Sequence, residues 1–131
     1  MSALHIDHLG IIVDDLEAAI ERFRALFGEG PASTKDMEDV GIRTATFAAA
    51  NIDMELIQYT GDGHAKEVMG AAPGLNHFSA RVADMEDALG SLGASGFRVM
   101  EGFPREGVHG RVAFFEPDAA TGVRFEISEA G

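Results

Sequence analysis

The sequence contains no cysteine and only two lysines among its 131 residues. The absence of cysteine excludes disulfide bonds, thiolate metal ligands and cysteine nucleophiles, and it fits a reducing cytoplasm, where we expect the protein. The scarcity of basic residues leaves a formal net charge of −12. Nucleic acids bind basic surfaces, so this charge argues against a nucleic-acid partner. No apolar run is long enough to span a bilayer, and we therefore expect no membrane partner.

The most informative feature that is present is an internal repeat. Residues 6–17 (IDHLGIIVDDLE) are echoed by residues 75–86 (LNHFSARVADME), and His77 follows His8 by 69 residues. Each copy is typical of a strand that carries one histidine and is followed by a helix opened by an aspartate. A second echo, between residues 54–57 (MELI) and 125–128 (FEIS), gives each half one glutamate near its end.

The patterns along the chain predict the same order of elements in both halves. Apolar residues at helical spacing predict a helix that begins near Leu16 and ends at Gly28, and a second helix face with Met85, Ala88, Leu89 and Leu92. Glycines inside the second helix lower its expected stability. Strands are predicted at residues 4–13, 42–48, 52–59, 97–100, 111–115 and 123–127, with loops at 29–40 and 101–110 and a short helix at 65–69.

These elements predict an α+β protein made of two βαβββ modules. One such module is too small to bury both faces of its own sheet, so we expect the two paired modules to curl their sheets around a shared metal-centred cavity. The interpretation is a single domain over residues 1–131, with module 1 at 4–60, a connector at 61–73 and module 2 at 74–129. A pseudo-two-fold axis would then bring both histidines and both glutamates to one centre.

The predicted metal ligands are His8, Glu55, His77 and Glu126. A lone strand histidine is more often a hydrogen-bonded core residue, and a strand glutamate usually faces solvent. Recurrence of both residue types in both halves favours metal binding instead. Two imidazoles and two carboxylates suit one divalent ion, which could be Co, Zn, Ni, Mn or Fe. Four protein ligands leave an octahedral ion two positions for a bidentate substrate.

Another candidate is His109, which lies in the loop segment Gly107-Val108-His109-Gly110. Glycines allow a backbone to approach a ligand closely, so this histidine is a possible substrate contact. The alternative is that His109 is a solvated loop residue, and the sequence leaves both open.

With these residues in place, the chain resembles the vicinal oxygen chelate (glyoxalase/bleomycin resistance/dioxygenase) superfamily, and within it the methylmalonyl-CoA epimerase family. The resemblance is carried by residues 6–11 (IDHLGI), 74–77 (GLNH), 104–114 (PREGVHGRVAF) and 122–126 (GVRFE). It implies the fold of paired βαβββ modules, a homodimer and metal ligands at the four positions already named. Asn76 stands where that family commonly has the first of two histidines.

The resemblance implies a divalent-metal-dependent epimerase-type enzyme. Its reaction would be a 1,1-proton transfer on a small acyl-thioester through a metal-stabilised enediolate. Thr44 stands where some members carry a glutamate proposed as a base, so Glu126 and Glu55 are the candidate catalytic bases. Thr44, His109 and Arg111 are the expected substrate-binding residues.

Two alternatives remain open from the sequence. A glyoxalase I-like isomerase, of the lactoylglutathione lyase type, would use the same metal and the same proton movement on a glutathione hemithioacetal. A metal-free small-molecule binding or resistance protein would use the same fold without the ion, although the complete ligand set argues against it.

Overall fold

The computed structural model describes residues 4–61, 63–107 and 110–129, and these form eight strands and three helices in a mixed α+β arrangement. The elements are, in order, β1 (His5–Ile12), α1 (Leu16–Phe27), β2 (Ser33–Met37), β3 (Ile42–Ala48), β4 (Asp53–Tyr59), α2 (His64–Met69), β5 (Gly74–Val82), α3 (Met85–Ala94), β6 (Arg105–Gly107), β7 (Gly110–Phe114) and β8 (Phe125–Glu129). They divide into two compact units. One is residues 8–76, and the other joins the start of β1, up to Asp7, to the chain from His77 onward.

In the unit of residues 8–76 the strands lie in the order β2-β3-β4-β1. β1 runs parallel to β4, while β3 is antiparallel to both β2 and β4. Side chains alternate between the two faces of a strand, and one face packs under α1. The buried core on that face consists of Leu16, Ile20, Ala45, Phe47 and Leu56.

Helix α1 begins and ends where the sequence predicts. Asp15 is its N-cap, and the Asp15 carboxylate accepts a hydrogen bond from the Ala18 N–H at 3.2 Å. Gly28 ends the helix in the left-handed region, at a φ of 80°, which favours glycine. With 12 residues α1 is the longest helix described, and none of the described helices is long and apolar enough to cross a membrane.

In the other unit the order is β5-β8-β7-β6, with α3 packed on one face. This unit repeats the contacts that join helix to sheet in the first. The Leu16 N–H donates to the Gln58 side chain at 2.7 Å, and the Met85 N–H donates to the Glu129 carboxylate. The ion pair between Arg43 and Glu17 (3.2 Å) likewise recurs between Arg111 and Glu86 (2.8 Å). The duplication seen in the sequence therefore extends to the packing, and the predicted βαβββ order is confirmed in each half.

Three parts of the secondary-structure prediction are wrong. The segment 29–40, predicted as a loop, contains β2, and the predicted loop 101–110 contains β6. The predicted strand at 97–100 is reduced to one isolated bridge, between Val99 and Phe115. β2 and β6 are the outermost strands of their units, and four of the five β2 residues are exposed. Such strands form through pairing with a neighbour and need no apolar alternation, so the pattern that predicts other strands misses them.

Gly90 lies inside α3, and a Cβ added there would meet no heavy atom of the surrounding described chain within 4 Å. Alanine favours the helical state over glycine by about 1 kcal/mol, so we expect Gly90→Ala to raise the free energy of unfolding by roughly 0.5–1 kcal/mol in urea denaturation. Gly96→Ala is the matched control. Gly96 has a φ of +94°, where alanine is strained, so the control should lose stability. Loss of stability in both variants would contradict this account.

Candidate metal centre

His8 and Glu55 lie on neighbouring strands of the first unit. Glu55 on β4 pairs with Gly10 on β1, and His8 is two residues before Gly10, so both side chains share one face. Leu56, the next residue of β4, packs under α1, which places this pair on the face that α1 does not cover. The His8 Nε2 lies 3.8 Å from Glu55 Oε1, and both residues are buried, with exposed fractions of 1% and 4%.

His77 and Glu126 occupy the corresponding strands of the second unit, β5 and β8. Their exposed fractions are 4% and 5%. Phe125 and Ile127, which flank Glu126, belong to the apolar core under α3, so Glu126 faces away from that core. The ring of Phe114 on β7 meets the His77 ring edge-on, with the ring centroids 5.1 Å apart. This contact packs the His77 ring against the Phe114 ring of β7.

The ligand atoms of His8, His77 and Glu126 all lie within 4.8 Å of one another. Protein nitrogen and oxygen ligands stand about 2.0–2.2 Å from a divalent transition-metal ion, so two ligands on opposite sides of one ion are about 4.4 Å apart. The observed limit of 4.8 Å is slightly wider than this, so a small adjustment of the side chains would bring all three donors to a single ion. Two imidazole nitrogens and a carboxylate oxygen also form a donor set that such ions accept. The residues present fit a divalent metal ion.

Burial gives a second reason to expect a cation. Removing an ionised carboxylate from water is costly, and buried charges in proteins are paired or coordinate metals. Glu55 and Glu126 are both buried, on a chain with a net charge of −12. A divalent ion beside them would offset this cost.

The predicted substrate-binding residues lie in different places. Thr44 is buried on β3, with an exposed fraction of 2%, and its pairing with Ile57 puts it on the same face as Glu55. The Arg111 guanidinium instead lies 2.8 Å from Glu86 and 3.9 Å from Glu129. Because β7 alternates, Arg111 is on the face opposite to Glu126, and the structure does not bring it to the histidines. His109 lies outside the described residues, so its contact with substrate stays a prediction.

Asn76, which precedes His77 in place of a second histidine, has a structural contact. Its side-chain amide donates a hydrogen bond to the Met69 carbonyl oxygen at 2.9 Å. Met69 is the last residue of α2, so this bond ties the end of the connector helix to β5. The Asn76 side chain therefore helps to fix the start of β5, the strand that carries His77.

Two buried serines share a strand face with the predicted metal ligands and are not among the site residues predicted from the sequence. Ser79 and Ser128 are both fully buried, and neither hydroxyl oxygen has a hydrogen-bond partner among the residues that the structure describes. Each follows a predicted ligand by two residues, Ser79 after His77 and Ser128 after Glu126. The period of a strand could have placed them on the ligand face, but only coordinates show that they are buried.

Comparison with known proteins identifies the family. Residues 7–115 match the Glyoxalase/Bleomycin resistance protein/Dioxygenase superfamily. An ethylmalonyl-CoA/methylmalonyl-CoA epimerase of Cereibacter sphaeroides is 30% identical over 131 aligned positions, which cover 95% of this chain and 96% of that protein. A mitochondrial methylmalonyl-CoA epimerase of Dictyostelium discoideum is 25% identical and covers 95% of this chain and 77% of its own length.

Solved structures agree with these matches. The crystal structure of methylmalonyl-CoA epimerase from Mycobacterium tuberculosis has a TM-score of 0.81 at 29% identity, covering 97% of this chain and 88% of that one. A methylmalonyl-CoA epimerase in complex with methylmalonyl-CoA and NH4+ has a TM-score of 0.82 at 28% identity, covering 99% and 96%. The α+β fold predicted from the repeat is confirmed, and the chain belongs to the Glyoxalase/Bleomycin resistance protein/Dioxygenase superfamily.

Proposed function

We propose that the protein is a divalent-metal-dependent epimerase that moves a proton at the carbon between a carboxylate and a thioester. The observation that carries this proposal is the buried group of His8, His77 and Glu126, with Glu55 beside His8. It occurs in a chain that is similar over nearly its whole length to methylmalonyl-CoA epimerases, one of them bound to methylmalonyl-CoA. A small acyl-thioester, with CoA as its carrier, is therefore the proposed substrate.

His8, Glu55, His77 and Glu126 are the proposed ligands of one ion, which could be Co, Zn, Ni, Mn or Fe. When bound, such an ion supplies positive charge that offsets the negative charge developing on the substrate oxygens as the proton leaves. Burial of the four residues excludes bulk water from the ion, and this strengthens the electrostatic effect.

Inversion at a carbon needs one base on each face of the planar intermediate. Glu126 and Glu55 are the proposed bases, since Thr44 has no carboxylate. One carboxylate takes the proton from the α-carbon and becomes a carboxylic acid. The other glutamate, which lies on the opposite face and is protonated beforehand, then gives its proton to the same carbon, which completes the inversion. Thr44, on the face that carries Glu55, can donate its hydroxyl hydrogen to a substrate oxygen; contacts of His109 and Arg111 with the substrate stay predictions.

The first test is metal binding. We expect about one divalent ion per chain in elemental analysis of the purified protein, and we expect His77→Ala to weaken zinc or cobalt affinity by at least ~10-fold, because it removes a buried nitrogen ligand. His5→Ala is the matched control, since His5 is an exposed histidine on β1. Equal affinity in both variants would remove His77 from the ligand set. A parent protein without metal affinity would favour the metal-free binding protein instead.

The second test is isotope exchange. In D2O the parent protein should incorporate deuterium at the α-carbon of methylmalonyl-CoA, and Glu126→Gln should slow this exchange by about 10²–10⁴-fold, the usual contribution of a positioned base. Glu116→Gln is the control, because the Glu116 side chain is half exposed and forms an ion pair with Arg98 at 3.8 Å. Undiminished exchange in a Glu126→Gln variant that still binds metal would exclude Glu126 as the base.

A substrate assay distinguishes the proposed epimerase from the glyoxalase I-like alternative. Incubation of the metal-loaded protein with methylglyoxal and glutathione should give no lactoylglutathione above the uncatalysed rate. Steady turnover in this assay, with no exchange on methylmalonyl-CoA, would replace the proposed epimerase with the isomerase. The homodimer and the cytoplasmic location stay predictions, and the first is tested by sedimentation of the purified protein.

A further inference from the structure

The hydroxyl groups of Ser79 and Ser128 are an unusual feature of the second unit. Both residues have an exposed fraction of 0%, and neither hydroxyl oxygen has a hydrogen-bond partner within residues 4–61, 63–107 and 110–129. Buried polar groups are nearly always hydrogen-bonded, because an unmet hydroxyl loses its bonds to water without compensation. Two such groups close together in one small sheet therefore call for an explanation.

Both serines lie next to Glu126. Ser79 on β5 is the direct pairing partner of Glu126 on β8, so their side chains leave the sheet side by side on the same face. Ser128 follows Glu126 by two residues on β8 and shares that face as well. A hydroxyl turns about its Cα–Cβ bond among staggered positions, so each serine can re-aim its hydrogen without any movement of the backbone.

The first unit has no serine at either equivalent position. By the alignment of the two halves, Ser79 corresponds to Gly10 and Ser128 to Ile57, neither of which has a hydroxyl. Glu55 pairs with Gly10 on one side and with the half-buried Thr46 on the other. Thr46 offers Glu55 a hydroxyl from the opposite side, so the serines differ from the first unit in position and in residue type and are not a remnant of the duplication.

We infer that Ser79 and Ser128 are positioning residues for Glu126, whose carboxylate accepts hydrogen bonds from their hydroxyls when Glu126 serves as a metal ligand. Carboxylates that bind metals are in turn hydrogen-bonded, and loss of such a partner lowers metal affinity. The serines touch neither substrate nor ion and act only through the orientation of Glu126. This inference rests on the proposed function in one respect, which is that Glu126 binds the ion.

The test is a metal titration of Ser79→Ala, Ser128→Ala and the double variant. Zinc and cobalt affinities are measured by competition with a chromophoric chelator, and the melting temperature is measured on the metal-free protein. We expect the double variant to bind metal about 10–100-fold more weakly than the parent, with a shifted visible spectrum of its cobalt form. We expect its metal-free melting temperature to be equal or higher, because the substitutions remove buried hydroxyls that lack partners.

A purely structural role of the serines predicts the opposite pattern. It would lower the melting temperature of the metal-free double variant and leave the metal affinity within twofold of the parent, and either result overturns the inference. Ser33→Ala is the control, since it removes the same hydroxyl from an exposed position on β2. It should change neither quantity.

Failure of the inference and failure of the proposed function are distinguishable. If the parent binds metal without exchanging the α-proton of methylmalonyl-CoA, the epimerase proposal fails, and a loss of affinity in the double variant still supports the serines as positioning residues. If exchange is normal and the affinity of the double variant is unchanged, only the inference fails. A parent that binds no divalent ion overturns both.

Discussion

The structure depends on the two faces of its strands having different roles. One face carries apolar side chains that pack under α1 or α3, and the other carries His8, Glu55, His77 and Glu126 in a buried environment. Because side chains alternate, a strand can supply core residues and ligands from adjacent positions. Leu56 beside Glu55, and Ile127 beside Glu126, show this directly. The apolar cores under α1 and α3 stabilise the strands, and the strands hold the ionisable groups in place.

The two units share their framework and differ on the face that carries the proposed metal ligands. The aspartate caps recur, and so do the bonds from the start of each helix to the end of the last strand. On the face that the helices do not cover, Gly10 of the first unit corresponds to Ser79 of the second, and Thr44 corresponds to Val112. A substrate with a carboxylate at one end and a thioester at the other has two different halves. The unlike residues of the two units would suit the two ends of the proposed acyl-thioester.

The sequence predicts those parts of the structure that local patterns determine. α1 has a long apolar period, an aspartate before it and a glycine after it, so its bounds could be read directly. β2 and β6 form because a neighbouring strand accepts them, and nothing in their own residues indicates it. The position of Arg111 could have been predicted from the sequence, since it lies two residues before Ala113 and so shares the face of the core under α3. The missing partners of Ser79 and Ser128 are properties of three-dimensional packing, and no spacing rule could have shown them.

In the proposed reaction Glu126 would meet two requirements that conflict. As a ligand its carboxylate should be held firmly, and as a base it must be free to take a proton from carbon. A carboxylate held only by the ion would lose its interactions when it turned toward the substrate, in a site where burial excludes water as a replacement. The hydrogen bonds inferred from Ser79 and Ser128 would remove part of this conflict, because each hydroxyl could turn with the carboxylate between the two positions. Glu55 has Gly10 on the side where Glu126 has Ser79, and its hydroxyl-bearing neighbour is Thr46 on the other side. The two acids therefore have different surroundings even though duplication placed them at equivalent positions.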